Sequence, residues 1–357
     1  MDVTPLLGPG SGVARAVRGW WDAASSTGEV DLVGWTTSWR DRSGAGVDSR
    51  SVPLPAVVAV PMWRRFDRPR LDRLVGRPDL LHATNHVAPG ASAPRLLTVM
   101  DLSFVLDPED VTAGVERFDA TIRAAVDRGV RLHTISHHIA EGIEAHYGVS
   151  ATVVAPVVEA IGAGPADTAG DPPARDRREP VVLAIGNQVR RKRFPLLVEA
   201  FGRLAADLPR ARLVLVGAEG SDTAAIHDAV ERLPTATSDR IELLGRRPDD
   251  EIAAWVDRAT VLAHPSGYEG FGLPVLEAMA AGLPVVVAAA GAVVEAAGDA
   301  ATIVPVDDVD RLAAGLVELL TDDELWERRQ RDGRQRAAAF SPELIGAELV
   351  AVYRELV

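Results

Sequence analysis

The stretch VVLAIGNQVRRKRFPLLVEAFGRLAADLPRARLVLVG, Val181–Gly217, decides the fold. Val181–Ile185 is an unbroken apolar run of strand length, and Pro195–Leu208 repeats its apolar residues at helical spacing. A second apolar run, Arg212–Val216, follows the helix. Strand, helix and strand in that order make a parallel crossover. The alternation continues with helix Thr223–Leu233, strand Ile241–Leu244, helix Asp249–Arg258, strand Val261–His264 and helix Pro274–Ala281. Strands Pro284–Val287 and Ala301–Val304 and helix Val309–Leu320 complete the pattern. This half reads as a doubly wound sheet, an arrangement that binds ligands outside the carboxyl ends of its strands.

The first half carries the same alternation less cleanly. Short apolar runs at Val30–Trp35, Val57–Val60, Leu80–Thr84, Arg95–Val99, Leu132–Ser136 and Ala151–Ala155 predict strands, with helices over Glu109–Arg128 and Ala140–Tyr147. Between the halves, GAGPADTAGDPPARDRREP (Gly162–Pro180) has no apolar period and reads as a linker. The expected organisation is therefore an α/β chain with domains at 1–161 and 181–340. They are joined by a linker at 162–180 and followed by a C-terminal helix at 341–357 that packs across the domains.

Composition narrows the class of function. The 357 residues carry 38 Lys and Arg against 51 Asp and Glu, a net charge of −13 that argues against non-specific nucleic-acid binding. The absence of cysteine removes disulfide scaffolds, thiolate metal sites and cysteine nucleophiles. The start, Met1-Asp2-Val3-Thr4-Pro5, lacks the layout of a secretory signal, and no apolar run approaches the roughly 18 residues of a membrane span. The expectation is a cytoplasmic enzyme.

Two segments carry the chemistry. In HPSGYEGFGLPVLEAMAAGLPVV, His264–Val286, a strand ends at His264 and a glycine-rich loop runs into a helix opened by Pro274. Glu277 falls one turn inside that helix among Leu, Val, Ala and Met, so its carboxylate needs hydrogen-bond donors. Vicinal ribose hydroxyls would supply two; a neighbouring backbone is the plainer partner. Glu269 lies in the loop above the same strand end, and the amides of Gly270, Phe271, Gly272 and Leu273 lead into a helix N-terminus suited to an anion. In GNQVRRKRFPLLVEAF, Gly186–Phe201, Arg190, Arg191, Lys192 and Arg193 stand just before a helix. Cations there oppose the helix dipole, so they ask for an anion such as a diphosphate; a solvated basic loop is the alternative.

These segments resemble the retaining glycosyltransferases of family 4, which have the GT-B architecture of two Rossmann-like domains facing a cleft. The matching features are Gly186 with Arg191-Lys192, the turn Gly245-Arg246 in LLGRRPDDEIAAWVDRA, the Glu-x7-Glu pair Glu269 and Glu277, and GAVVEAAGDAATIVP at Gly291–Pro305. The resemblance implies a metal-independent enzyme without cofactor that moves a hexose, with mannose the sugar its patterns suggest. The donor would be a nucleotide-diphosphate sugar and the acceptor a glycan, a lipid-linked molecule or a small molecule. It implies Arg191 and Lys192 on the diphosphate, Glu269 at the sugar hydroxyls, Glu277 on the ribose and main chain near Gly245 at the base. Retention then follows from front-face attack. A nucleotide-sugar epimerase and a catalytically silent GT-B subunit are the alternatives.

The first half resembles the family more loosely. GPGSGVARAV (Gly8–Val17) looks like its glycine-rich loop, with Gly12 approaching the donor. The segments around His82, Met100-Asp101 and Ser136 fit on the sugar or acceptor side. Relatives usually carry His-Asp where this chain has Met100-Asp101, and an Asn-Gly where it has VVAPVVEA. Asp308-Val-Asp310 is a literal Asp-x-Asp, but it opens a helix and reads as an N-cap. His82 and His86 flank Asn85 without a third metal ligand. Trp20, Trp21, Trp35, Trp39 and Trp63 read as packing residues or as an acceptor platform. The basic run WRRFDRPRLDRLVGR, Trp63–Arg77, is a solvated helix or a peripheral contact at the inner face of a membrane.

Overall fold

A computed structural model describes residues 1–8, 10–38, 46–106, 117–161 and 173–357. The chain divides into two compact units, Met1–Val157 with Phe340–Val357, and Val158–Ala339. The second unit begins before the expected boundary at 181. The end of the expected linker is packed, because Arg178 is buried and donates to Val256 O at 2.7 Å and Ala259 O at 2.8 Å. Residues 162–172 lie outside the described residues. Among the described residues no helix is long and apolar enough to cross a membrane.

The first unit contains β1 (Gly34–Thr36), β2 (Ser49–Ser51), β3 (Leu81–Ala83), β4 (Arg95–Val99), β5 (Arg131–Thr134) and β6 (Ala151–Val153). Its helices are α1 (Gly12–Ser26), α2 (Ala56–Phe66), α3 (Ser103–Leu106), α4 (Arg117–Val126) and α5 (His137–Tyr147). Strands β3 to β6 pair in parallel in chain order, and β1 pairs with β2. Met1–Val3 joins the two sheets. Asp2 N donates to His82 O at 2.8 Å, while Val3 N donates to Trp35 O at 2.9 Å. The N-terminal segment is therefore bridged to β1 and hydrogen-bonded to β3, so the winding reverses beside it.

Two readings change here. Val57–Val60 is part of helix α2, not a strand: Ala59 and Trp63, four residues apart, are buried while Val57 and Val58 face solvent. A four-residue apolar run cannot separate the two periods. Gly12 is the first residue of α1 rather than a loop residue, with Ser11 as N-cap accepting from Ala14 N at 3.1 Å. The described part of Glu109–Arg128 contains α4, and 107–116 lies outside the described residues, as does Trp39.

The C-terminal helix, Pro342–Leu356, belongs to the first unit and lies along α1. Gly346 permits the approach, since a Cβ there would sit 2.6 Å from Ala23 O. Tyr353 anchors it: its hydroxyl is 2.7 Å from His82 Nδ1, and His82 Nε2 is 2.8 Å from Thr98 Oγ1. Thr98 in turn meets His133 Nδ1 at 2.8 Å, and Trp20 packs its ring against both histidines. Burial keeps these imidazoles neutral, pushing His133 down to about 4 and His82 well below its ordinary value, with His133 next in effect on His82.

The second unit has β7 (Val181–Ile185), β8 (Arg212–Val216), β9 (Ile241–Leu243), β10 (Val261–His264), β11 (Val285–Ala288) and β12 (Thr302–Val304). Its helices are α6 (Phe194–Leu204), α7 (Thr223–Glu231), α8 (Thr235–Ser238), α9 (Asp249–Arg258), α10 (Leu273–Ala280), α11 (Ala292–Ala297), α12 (Val309–Thr321) and α13 (Asp323–Ala338). All strands are parallel in the order β12-β11-β10-β7-β8-β9, the doubly wound order with its switch point between β7 and β10. Strands β7, β10 and β11 are almost wholly buried, and α6 and α12 pack Phe201, Leu197 and Leu316 against one face. Helix α13 went unread because its surface is mostly charged. It is held by Trp326, fully buried, whose indole donates to Thr260 O at 2.7 Å. Asp308 caps α12, accepting from Arg311 N at 2.9 Å, in agreement with the N-cap reading.

Tyr353→Phe should destabilise the first unit by about 1–3 kcal/mol, because it strands a buried imidazole nitrogen. Urea unfolding followed by Trp fluorescence checks this, and an unchanged midpoint would mean that the hydroxyl is not what secures the C-terminal helix.

Candidate functional site

The switch point of the second unit brings together the loops after β7 and β10. Both segments singled out in the sequence meet there. After β7, Gly186 and Asn187 lead into a short 3-10 turn, Arg190–Lys192, and Arg193 takes a left-handed conformation (φ 53°) to start α6. After β10, residues 265–272 form the loop before α10. Arg191 O accepts from Gly267 N at 2.8 Å, which fixes one loop against the other.

The side chains converge on one atom. Lys192 Nζ lies 2.7 Å and Arg191 NH1 2.9 Å from Glu269 Oε1. His264 Nε2 lies 3.3 Å from the same oxygen without hydrogen-bond alignment. Arg191 also donates to Tyr268 O at 3.2 Å. Lys192, Glu269 and His264 are buried. Burial alone would raise the Glu269 pKa, but the adjoining cations Lys192 and Arg191 hold it well below the usual carboxylate range. Burial and the charge of Lys192 lower His264, leaving a neutral imidazole. With His264 neutral, two cations share one carboxylate and the cluster carries a net positive charge. Burial also works against the Lys192 ammonium, while Glu269 supports it.

Glycine shapes the floor of this edge. A Cβ at Gly217 would lie 1.8 Å from Gly186 O, so the ends of β7 and β8 approach only without a side chain there. Gly217 N donates to Gly245 O at 2.9 Å, which brings the turn Gly245-Arg246 to the same edge; Gly245 is left-handed (φ 65°) and Arg246 is exposed. Gly272 (φ 94°) precedes α10, and a Cβ on it would strike Val293 Cγ2 at 2.8 Å. Phe271 and Leu273 are buried, Gly270 is half-buried, and Glu277 sits 6% exposed in the second turn of α10.

Sequence reasoning passed over two residues inside its own segments. Gln188 and Ser266 are buried, and their side-chain oxygens have no hydrogen-bond partner among the described residues. Gln188 lies in the loop after β7 and Ser266 in the loop after β10, the two loops that meet at this edge. Burial does not show in a single sequence, and their residue types are common in turns.

The first-unit candidates fare differently. Met100 is buried just beyond β4, and Asp101 accepts from Ser103 N and Oγ at 3.1 and 2.8 Å. His82 is turned inward, with Tyr353 and Thr98 on its two nitrogens, so it serves the fold rather than an acceptor. Ser136, fully buried, caps α5 by accepting from Ile139 N at 3.2 Å. Trp20, Trp35 and Trp63 are core residues and form no platform. Among the described residues, no group of three or more His, Asp or Glu is placed to hold a metal ion.

Residues 168–336 match the family described as Glycosyl transferases group 1. The second unit is a group 1 glycosyltransferase domain. The chain is 33% identical over 175 residues to an O-antigen chain mannosyltransferase B of Escherichia coli, covering 49% of this chain and 45% of that protein. It is 40% identical over 124 residues to an MMP alpha-(1->4)-mannosyltransferase of Mycolicibacterium hassiacum, covering 34% and 30%. The chain thus spans less than half the length of these curated relatives. Over 100% of this chain and 97% of the other, the fold is similar to a sucrose-phosphate synthase from Thermosynechococcus elongatus, with TM-score 0.74 and 21% identity. Anabaena HepE in complex with UDP and glucose gives TM-score 0.72 and 18% identity over 98% and 97% of the two chains. The fold is that of the GT-B glycosyltransferases.

Glu269→Gln should leave Lys192 buried without its counter-charge and cost about 3–5 kcal/mol in the free glycosyltransferase domain. Added inorganic pyrophosphate should then raise the melting temperature of the variant more than that of the wild type. Equal stabilisation of the two would separate the cations from anion binding. Because the folded-state pKa of Glu269 is depressed, its contribution is present above its ordinary value of 4.5 and is lost as pH falls through the folded value.

Proposed function

We propose that the protein is a retaining glycosyltransferase that moves a hexose from a nucleotide-diphosphate sugar to a glycan or lipid-linked acceptor. The observation that carries this reading is the convergence of Arg191 and Lys192 on buried Glu269, at the switch point of a group 1 domain. A diphosphate is a bidentate partner for Arg191 and a point-charge partner for Lys192, and it would release Glu269 from both. Glu269 then turns to the hydroxyls of the donor sugar, and Glu277 accepts from the ribose hydroxyls. Gly186, Gly245 and Arg246 lie along the nucleotide, and the amides of Gly270–Leu273 add donors near the phosphates.

The chemistry needs little acid or base from the protein. The bond from the anomeric carbon to the diphosphate oxygen breaks, and charge grows on the leaving diphosphate. Fixed cations stabilise that charge without reorganising, which lowers the barrier. The acceptor hydroxyl attacks from the face the diphosphate leaves, and its proton passes to the departing phosphate oxygen. Gly12, Met100 and Asp101 are retained as donor, sugar or acceptor contacts in this reading. Mannose is the first sugar to test, since two of the relatives are named mannosyltransferases. Contact of Trp63–Arg77 with the inner face of a membrane belongs to the same reading.

The deciding experiment is a panel of nucleotide sugars with a disaccharide acceptor, reading released nucleoside diphosphate and the anomeric configuration of the product by NMR. Acceptor-dependent release with retained configuration is expected; inversion, or sugar-nucleotide isomers formed without acceptor, would overturn it. Glu277→Ala should weaken nucleoside diphosphate binding at about 1.5–3 kcal/mol per lost charge-assisted hydrogen bond. Unchanged affinity in calorimetry of the folded variant would remove Glu277 from the site. Transfer should persist in EDTA, since Arg191 and Lys192 take the role of a cation; loss in EDTA with recovery in Mg²⁺ would contradict that.

A further inference from the structure

His264 has no part in the transfer reaction, yet it stands inside the charge cluster. It is the last residue of β10, the strand held on its two sides by β7 and β11, and it is 2% exposed. Its Nε2 lies 3.3 Å from Glu269 Oε1, and that nitrogen is buried with no hydrogen-bond partner among the described residues. The imidazole is therefore within ion-pairing reach of the carboxylate without being bonded to it. Lys192 Nζ and Arg191 NH1 occupy the same oxygen at 2.7 and 2.9 Å. Among the described residues, these three side chains supply the nitrogens at ion-pairing distance from Glu269. The two cations are carried by the turn after β7 and Glu269 by the loop after β10, so of the four only His264 is fixed in a strand.

In the unliganded domain a charged imidazole would be a third cation on one buried carboxylate. Burial and the charges of Lys192 and Arg191 keep it neutral. A diphosphate reverses that balance, because it adds negative charge and draws Arg191 and Lys192 toward itself. Glu269 is then a buried carboxylate that has lost its donors, which is costly unless another partner is found. The unpartnered nitrogen already in reach is His264 Nε2.

We propose that His264 positions Glu269 in the donor complex: when the nucleotide-diphosphate sugar binds, the imidazole takes up a proton from water and its Nε2–H pairs with Glu269 Oε1 in place of the two cations. The inference rests on the donor reading above and adds to it the group that keeps Glu269 ionised and oriented after the diphosphate has engaged Arg191 and Lys192. One carboxylate oxygen is then held by a residue fixed in the sheet, and the other is left for a sugar hydroxyl. The charged and titratable groups facing the imidazole are Lys192, Glu269 and Arg191. The complex binds a proton that the free domain does not, so donor affinity is full at lower pH and declines as pH rises through the value of His264 in the complex.

The test is calorimetry of the full chain with UDP-glucose, GDP-mannose, ADP-glucose and dTDP-glucose near neutral pH, in PIPES and in Tris. These diphosphates are esterified at both ends and carry no titrating proton of their own in this range. The two buffers differ in heat of ionisation, so the difference in binding heat counts the protons taken up. Whichever nucleotide sugar binds the wild type should do so with uptake of roughly half to one proton. His264→Gln keeps a donor near the place of Nε2 but cannot be protonated. It should bind on the order of tenfold more weakly, with no uptake and little change of affinity with pH. A histidine that only supported the fold would lose stability in the variant and leave the proton count unchanged. Binding by the wild type without proton uptake overturns the proposal and leaves the donor reading standing, as does equal uptake by a folded His264→Gln protein. If none of the four nucleotide sugars binds, the donor reading falls and the proposal with it. His264→Asn serves in the same comparison, and absence of uptake by the wild type is decisive without either variant.

Discussion

One carboxylate oxygen, Glu269 Oε1, holds Arg191 and Lys192 in place, and the rest of the second unit is arranged to make that meeting possible. The cations arrive from the loop after β7 and the carboxylate from the loop after β10, which are neighbours only because the strand order reverses there. Buried charges of one sign would be costly alone, and Glu269 offsets that cost in the unliganded domain. The same pairing keeps the guanidinium and ammonium oriented, so a competing anion meets a preorganised site. In the proposed function, stability of the unliganded domain and affinity for an anion are opposed at this one residue.

The backbone obeys the same constraint. Gly186, Gly217 and Gly245 end three adjacent strands, and the clearance at Gly217 sets how closely the first two lie. A bulkier edge would move the Arg190–Lys192 turn away from residue 269. The first unit repeats the topological plan, with Met1–Val3 in the place that β7 occupies, yet its carboxyl edge carries Gly12, Met100 and Asp101 in place of a charge cluster.

Legibility in the sequence followed burial. Strands β7, β8 and β10 matched their apolar runs to the residue, since fully covered parallel strands are written as unbroken Val, Leu and Ile. Val57–Val60 of helix α2 reads as a strand because four apolar residues carry no period, and α13 leaves no apolar stripe because one buried Trp326 secures a helix that is otherwise charged. At the site, Arg191, Lys192 and Glu269 were visible as charges in unusual surroundings. Their convergence on one oxygen was not, because Lys192 and Glu269 stand 77 positions apart in the chain. Gln188 and Ser266 gave no signal, since burial without a partner is a property of three dimensions. His82 misled for the opposite reason: a histidine close to a second one, His86, suggests a ligand or an acceptor contact, and here it lies inside β3, where Tyr353 of the C-terminal helix takes it up.

Calorimetric titration of GDP, UDP and the corresponding nucleosides into the wild type and Lys192→Ala tests the central claim most directly. The expected result is that the preferred nucleoside diphosphate loses at least tenfold in affinity in the variant, while its nucleoside binds both proteins alike. Equal diphosphate affinity in a folded Lys192→Ala protein would contradict it.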